Sequence, residues 1–209
     1  MSPAVIESAL KLLKKDKKLG PVIKRMGVLD MGRPGETYEA LCRAIVYQQL
    51  SGKAAGTIYG RFCALFPKKT PTAKLLLKKS REELRSVGLS NQKTNYLIDL
   101  SEKFDSGFIT PKKFPMMSDE EIREHLVAVK GIGVWTADMF LMFNLGRPDV
   151  LPVGDLGIQK GFKKLFNLRA LPDATKMIKL ARAWQPYRTV ACEYLWKIAD
   201  EGNANRPSK

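Results

Sequence analysis

The chain has 209 residues, with 36 Lys and Arg against 21 Asp and Glu, giving a formal charge of +15 and a pI near 9.8. A content of 44% hydrophobic and 27% charged residues is that of a globular protein able to bury one core or two packed lobes, and the charge favours a polyanion, nucleic acid first, over a merely basic solvated surface. Three classes are excluded: membrane-spanning proteins, because no apolar run is long enough; histidine metal sites and Ser-His-Asp triads, because His125 is the only histidine; and cysteine-held zinc or iron–sulfur clusters, because Cys42, Cys63 and Cys192 are odd in number and far apart.

No signal-peptide core opens the chain, and buried free thiols fit a reducing compartment, so an intracellular protein is expected. The lysines (Lys14, Lys15, Lys17, Lys18, Lys68, Lys69, Lys78, Lys79, Lys112, Lys113, Lys160, Lys163, Lys164) are spread along the chain. Their field suits a broad surface or cleft better than a basic tail.

Apolar residues recur at helical spacing and strand signals are scarce, which predicts an all-α protein. Pro3 to about Lys18 reads as one amphipathic helix, with Ile6, Leu10 and Leu13 on a face, and Met26 to Glu36 as a loop. Thr37 to Gln49 is predicted helical, broken at Leu50, Ser51 and Gly52 before a helix over Lys53 to Leu65. Short helices follow over Pro71 to Leu77 and Ser80 to Val87, then one from Ser90. Gly107 to Pro115 is predicted as loop. Ser118 and Glu121 make a capping box for a helix over Asp119 to Val129. Val134 to Leu145 is the next helix. Asp155 caps another that runs to about Asn167, and helices over Asp173 to Ala183 and Pro186 to Ala199 end the series. Glu201 to Lys209 is polar and expected to fray. The block at about 36–150 is expected to form one lobe, and residues 1–35 with 151–200 the other.

Chemistry concentrates between Leu126 and Asp155. Val129-Lys130-Gly131-Ile132-Gly133 joins two helices through a turn whose glycines admit a close backbone approach, with Ile132 packed inward. The N–H groups of Val134 to Thr136 then open a helix at its positive end, where a phosphate binds well. An ordinary helix–turn–helix connection stands as the alternative. Gly88, Ser90 and Lys93 form a second candidate for backbone contact, with a plain capped helix start as its rival. A short Pro/Gly-bounded segment places one carboxylate, Asp155, nearby in the chain.

LVAVKGIGVWTADM followed by LPVGDLGIQKG, with AIVYQQLSGKAAGTI at 44–58, LRSVGLSNQKTNYLIDL at 84–100 and ARAWQPYRTVACEYLW at 181–196, resembles the helix–hairpin–helix DNA glycosylase superfamily. Within it, the blocks look like the 3-methyladenine DNA glycosylase II branch in its small, yeast-like form. The resemblance implies a single glycosylase domain of two helical lobes with a DNA-binding cleft between them. It implies monomeric action in the nucleus on duplex DNA carrying alkylated bases or abasic sites. It also implies that a damaged nucleotide is turned out of the duplex and its base cut from the sugar.

Carried onto this sequence, Asp155 matches the catalytic carboxylate, which stabilises positive charge on the sugar as the base departs; helix capping is its other reading. The loop Gln48-Gln49-Leu50-Ser51 matches the wedge that fills the gap in the stack, with Gln49 as the plug, and Leu89 is a candidate partner on the opposite strand. A helix C-cap is the alternative for Gln49 and a core position for Leu89. Trp135 stands where lyase members carry a Schiff-base lysine, so a monofunctional hydrolase is expected. Its ring would face an electron-poor base, unless it is a core tryptophan. Met139, Trp184 and Tyr187 are the other candidates for the base pocket. Lys130, Gly131, Ile132, Gly133, Val134 and Thr136 are candidates for the phosphate. No metal ligand set or iron–sulfur cluster is expected, though the hairpin of this superfamily can hold a monovalent cation.

Met139 and Ser51 depart from the residues some relatives carry. A glycosylase-like protein that binds damaged or abasic DNA with little or no turnover is therefore the second reading. A lyase is a third, against which Trp135 argues.

Overall fold

A computed structural model describes residues 1–30 and 35–201. Among these the chain forms α-helices with short 3-10 turns and no strand. The helix starts follow side-chain chemistry. Ser2, Ser51, Thr72, Ser80, Ser90, Ser118, Asp155 and Asp173 each accept a first-turn N–H, satisfying donors that a helix leaves without internal partners. The expected capping box of Ser118 and Glu121 is present, and a second joins Ser80 and Glu83.

The chain divides into two compact units, one of Gly35–Phe140 and one of Met1–Pro34 with Leu141–Lys209. The first unit carries α3 (Thr37–Tyr47), α4 (Gly52–Ala64), α5 (Ala73–Leu76), α6 (Arg81–Ser86), α7 (Asn91–Asp105), α8 (Asp119–Val127) and α9 (Val134–Met139). Leu41, Ile45, Phe62, Leu76, Leu84, Leu97, Leu100, Ile122 and Leu126 are fully buried there. α7 packs against α3, α5 and α6, and α8 against α9. A buried-side ion pair, Arg123 Nε to Asp138 Oδ1 at 2.9 Å, joins α8 to α9.

The other unit carries α1 (Pro3–Leu13), α2 (Leu19–Met26), α10 (Leu156–Leu165), α11 (Ala174–Leu180) and α12 (Arg188–Asp200). The closest packing there is α10 on α12, and two glycines one helical turn apart explain it. A Cβ on Gly161 would lie 2.4 Å from the Leu195 carbonyl oxygen, and one on Gly157 would lie 2.7 Å from the Trp196 ring. Only hydrogen side chains let the helices meet this closely.

Three elements differ from the sequence-based expectation. The helix expected over Pro3 to about Lys18 ends at Leu13, and a helix that was not expected, α2, follows it, started by Asp16 Oδ1, which accepts from the N–H groups of Lys18 and Leu19 at 2.8 and 2.7 Å. Pro21 sits in the first turn of α2, where its missing N–H costs nothing. The helix expected over Val134 to Leu145 is α-helical only to Met139 and π-helical over Phe140–Asn144. The segment Gly107 to Pro115 contains a 3-10 turn over Pro111–Met116. The loop expected over Met26 to Glu36 lies partly, at 31–34, outside the described residues, as does most of the tail expected to fray.

Candidate functional site

The hairpin of the first unit is built from α7 outward. Gly131 has φ +83, and a Cβ on it would fall 2.1 Å from the Tyr96 ring. Glycine is thus required both by the left-handed backbone and by the ring beneath it. The Lys130 N–H donates to Asp99 Oδ2 at 2.9 Å, and Lys103 Nζ reaches the same oxygen at 2.8 Å. Burial works against the Asp99 carboxylate, but the Lys103 ammonium and the Lys130 N–H outweigh it, and its pKa lies below the ordinary carboxylate range. Ile132 is buried and its N–H closes the turn on Val129 O at 3.0 Å.

Gly133 opens α9 with φ −93 and ψ 173, and no side chain caps this helix start. Its first residues face solvent: Val134 is 55% exposed and Trp135 52%. That exposure removes the core reading of Trp135. Met139 follows one turn later and half-buried, on the same helix face as Trp135. Thr136 lies between them in the chain, also half-buried.

The candidate wedge loop is a tight turn at the end of α3. Gln49 holds φ +56 and is exposed with Leu50 and Ser51. The Leu50 N–H reaches back to Tyr47 O, and the Ser51 hydroxyl caps α4. A left-handed non-glycine residue at an exposed tip is a strained conformation of the kind found at working sites.

In the other unit, Asp155 caps α10. Its Oδ1 accepts from the Ile158 N–H at 2.7 Å and from the Trp196 indole N–H at 2.8 Å. The residue is only 9% exposed. Phe143 lies against the Trp196 ring, centroids 5.9 Å apart. Gly157 leaves room for the indole at the carboxylate. The loop leading to Asp155 is fixed by Arg188, whose Nε and Nη2 both bind the Asp149 carboxylate, and by Thr189, which accepts from the Val150 N–H and donates to Arg147 O.

Three sequence-based assignments are corrected. Trp184 is 0% exposed, stacks on Phe162, and donates its indole N–H to Asp16; it is a core residue with no face for a base. Leu89 is 4% exposed and packs in the core, where it has no reach into a duplex. Lys93 does not present its ammonium to a phosphate: Nζ donates to Val46 O and Gln48 O at 2.7 and 2.8 Å. Tyr187 is half-buried at the start of α12, and Gly88 and Ser90 are exposed before α7, the Gly88 N–H bonded to Arg85 O and the Ser90 hydroxyl to the Lys93 N–H. Sequence reasoning passed over Trp196 and Gly157, and took Gln48 as part of the wedge loop without its link to Gly131 O. The Gly-x-x-x-Gly spacing at 157–161 was the available sign of a close helix contact; nothing local singles out Trp196 over Trp184.

Residues 42–186 match the family described as HhH-GPD superfamily base excision DNA repair protein, and the chain belongs to that superfamily. It is 38% identical over 179 residues to DNA-3-methyladenine glycosylase 1 of Schizosaccharomyces pombe, covering 83% of this chain and 78% of that one. It is 32% identical over 188 residues, 88% of each chain, to the alkylbase DNA glycosidase-like protein mag2 of the same yeast. The solved structure of S. pombe 3-methyladenine DNA glycosylase in complex with abasic DNA superposes with a TM-score of 0.78 at 32% identity, covering 97% of this chain and 100% of that one.

Proposed function

We propose that the chain is a monofunctional DNA glycosylase that hydrolyses the N-glycosidic bond of alkylated purines, of the 3-methyladenine and 7-methylguanine type, in duplex DNA. The observation that carries the chemistry is Asp155, a carboxylate fixed through one oxygen by two N–H donors. As the C1′–N bond breaks, its electron pair leaves with the base, neutralising the cationic purine. The sugar gains oxocarbenium character, which a fixed carboxylate stabilises without reorganising. Water then adds to C1′ and gives up a proton. An alkylated cationic purine is already a good leaving group, so no protonated acid is required.

The start of α9 at Gly133, which no side chain caps, is suited to a backbone phosphate. Gln49, Leu50 and Ser51 supply the wedge, and Trp135, with Met139 one turn on, the surface for the extruded base. Tryptophan at position 135 offers no amine for a Schiff base, so the backbone is left uncut. The turn carbonyls of Val129 and Gly131 accept hydrogen bonds but keep a second lone pair each; they would be the ligands of a monovalent cation at the hairpin, and no step depends on one. Action as a monomer in the nucleus completes the reading, and the likeness to yeast repair glycosylases supports the nuclear part of it.

The test is base release from methylated duplex under single-turnover conditions. Wild type is expected to release base, and Asp155→Asn to lose at least about a hundredfold in rate, because asparagine still caps α10 but carries no charge. Equal rates would remove Asp155 from the chemistry. Tight binding of abasic duplex without release by wild type would establish the binding-only reading instead.

A further inference from the structure

Lys93, Tyr96 and Asp99 stand at intervals of three along α7 and share one face of it. Each holds a different part of the candidate DNA surface. Lys93 Nζ binds Val46 O and Gln48 O, the terminal carbonyls of α3 that the helix cannot satisfy itself and that carry its negative end. Tyr96 lies under Gly131. Asp99 holds the Lys130 N–H. Gln48 closes the circuit, its Nε2 donating to Gly131 O at 2.7 Å across 83 residues of sequence. The loop at 48–51 and the turn at 129–133 are thus fastened to one helix and to each other.

We propose that Lys93 is a positioning residue for base extrusion: with Gln48 it locks the wedge loop to the phosphate-binding hairpin, so that gripping the backbone and inserting the wedge occur as one event. This rests on the glycosylase reading given above. Two of the three ammonium donors are committed to carbonyls, and burial lowers the ammonium pKa from its ordinary value; both mark a cation serving the protein rather than the solvent. The left-handed Gln49 at the loop tip persists because its flanks are fixed on either side. A wedge held in place before the duplex arrives lowers the entropic part of the extrusion barrier.

The variant Lys93→Met keeps the aliphatic stem and removes the donors, and Lys93→Arg retains charge. Each is compared with wild type in three measurements: the salt dependence of duplex binding, the fluorescence gain of 2-aminopurine beside a damaged base at saturating protein, and amide hydrogen exchange at Leu50 and Ile132 without DNA. Lys93→Met is expected to leave the salt slope unchanged, to reduce extrusion in the bound complex about tenfold, and to speed exchange at loop and turn together. Lys93→Arg should restore part of both. A salt slope smaller by about one unit, with extrusion and exchange unchanged, would make Lys93 a phosphate ligand and overturn the proposal. Faster exchange in the loop alone would overturn the coupling. Should Lys93→Met lose helical circular dichroism, Gln48→Leu, which cuts only the link to Gly131, takes its place with the same expectations for extrusion and exchange. If wild type itself extrudes no base, the glycosylase reading fails, while the exchange data still decide whether loop and turn are locked.

Discussion

α9 and α10 begin in one short stretch of chain, each after a glycine-bounded turn, and they begin in opposite ways. α9 opens on Gly133 with no capping side chain and with Val134 and Trp135 exposed. α10 opens on Asp155, whose oxygen takes the Ile158 N–H. A helix start carries partial positive charge and unsatisfied donors in either case. Left bare, it is a site for an anion from outside. Filled by an internal carboxylate, it anchors that carboxylate instead. The same backbone physics thus suits one helix to hold substrate and the other to hold a reactive group.

The largest effect is expected from discharging the filled end, Asp155→Asn, which separates the charge of residue 155 from its capping role. Next comes its orientation. Trp196→Phe keeps the ring beside Phe143 but deletes the N–H on Oδ1. A hydrogen bond to a charged group is worth about 1.5–3 kcal/mol, so kcat for base release should fall roughly ten- to hundredfold with KM little changed. Gly157→Ala, which drives a methyl group into the same indole, should reproduce that loss. A wild-type kcat in both variants would show that the indole contact is packing alone.

Converting the bare end into a filled one is the third test. Gly133 has the extended backbone an N-cap needs, and nothing lies within 4 Å of an added Cβ. Gly133→Asp should therefore raise stability by a few tenths of a kcal/mol while weakening duplex binding about tenfold, because the new carboxylate takes the donors and repels phosphate. Gly133→Ala should bind nearly as wild type. Undiminished binding by the aspartate variant would place the phosphate elsewhere.

What the sequence made legible in this comparison was local. Ser90, Ser118 and Asp155 announce helix starts within three residues of the N–H groups they cap, and the Gly-Ile-Gly turn is visible as a turn. What stayed hidden depends on partners distant in the chain. Trp184 and Trp196 sit in one block and look equivalent, yet one turns to Asp16, 168 residues away, and the other to Asp155, 41 residues away. Lys93 looks like any surface lysine until α3 brings its terminal carbonyls alongside. α2 stayed hidden because its first turn holds Gly20 and Pro21, residues that disfavour a helix interior, and the π-helical step after Met139 leaves no mark on a 3.6-residue period.

The smallest expected effect concerns how the bare end is held. Asp99 fixes the Lys130 N–H with its pKa below the ordinary carboxylate range of about 3.9. A carboxylate with a lowered folded-state pKa contributes its full stability above the unfolded value, and loses it as pH falls through the folded one. The thermal midpoint should therefore hold between pH 7 and about pH 4 as far as this group is concerned, and decline below that. Asp99→Asn should start lower at pH 7 and decline less steeply on the acid side, since an amide has no proton to gain. Because Asp99 serves the hairpin and not Asp155, the variant should lose duplex affinity at pH 7 but keep its single-turnover rate once saturated. A fall in that rate at saturation would mean that the two helix starts are not served separately.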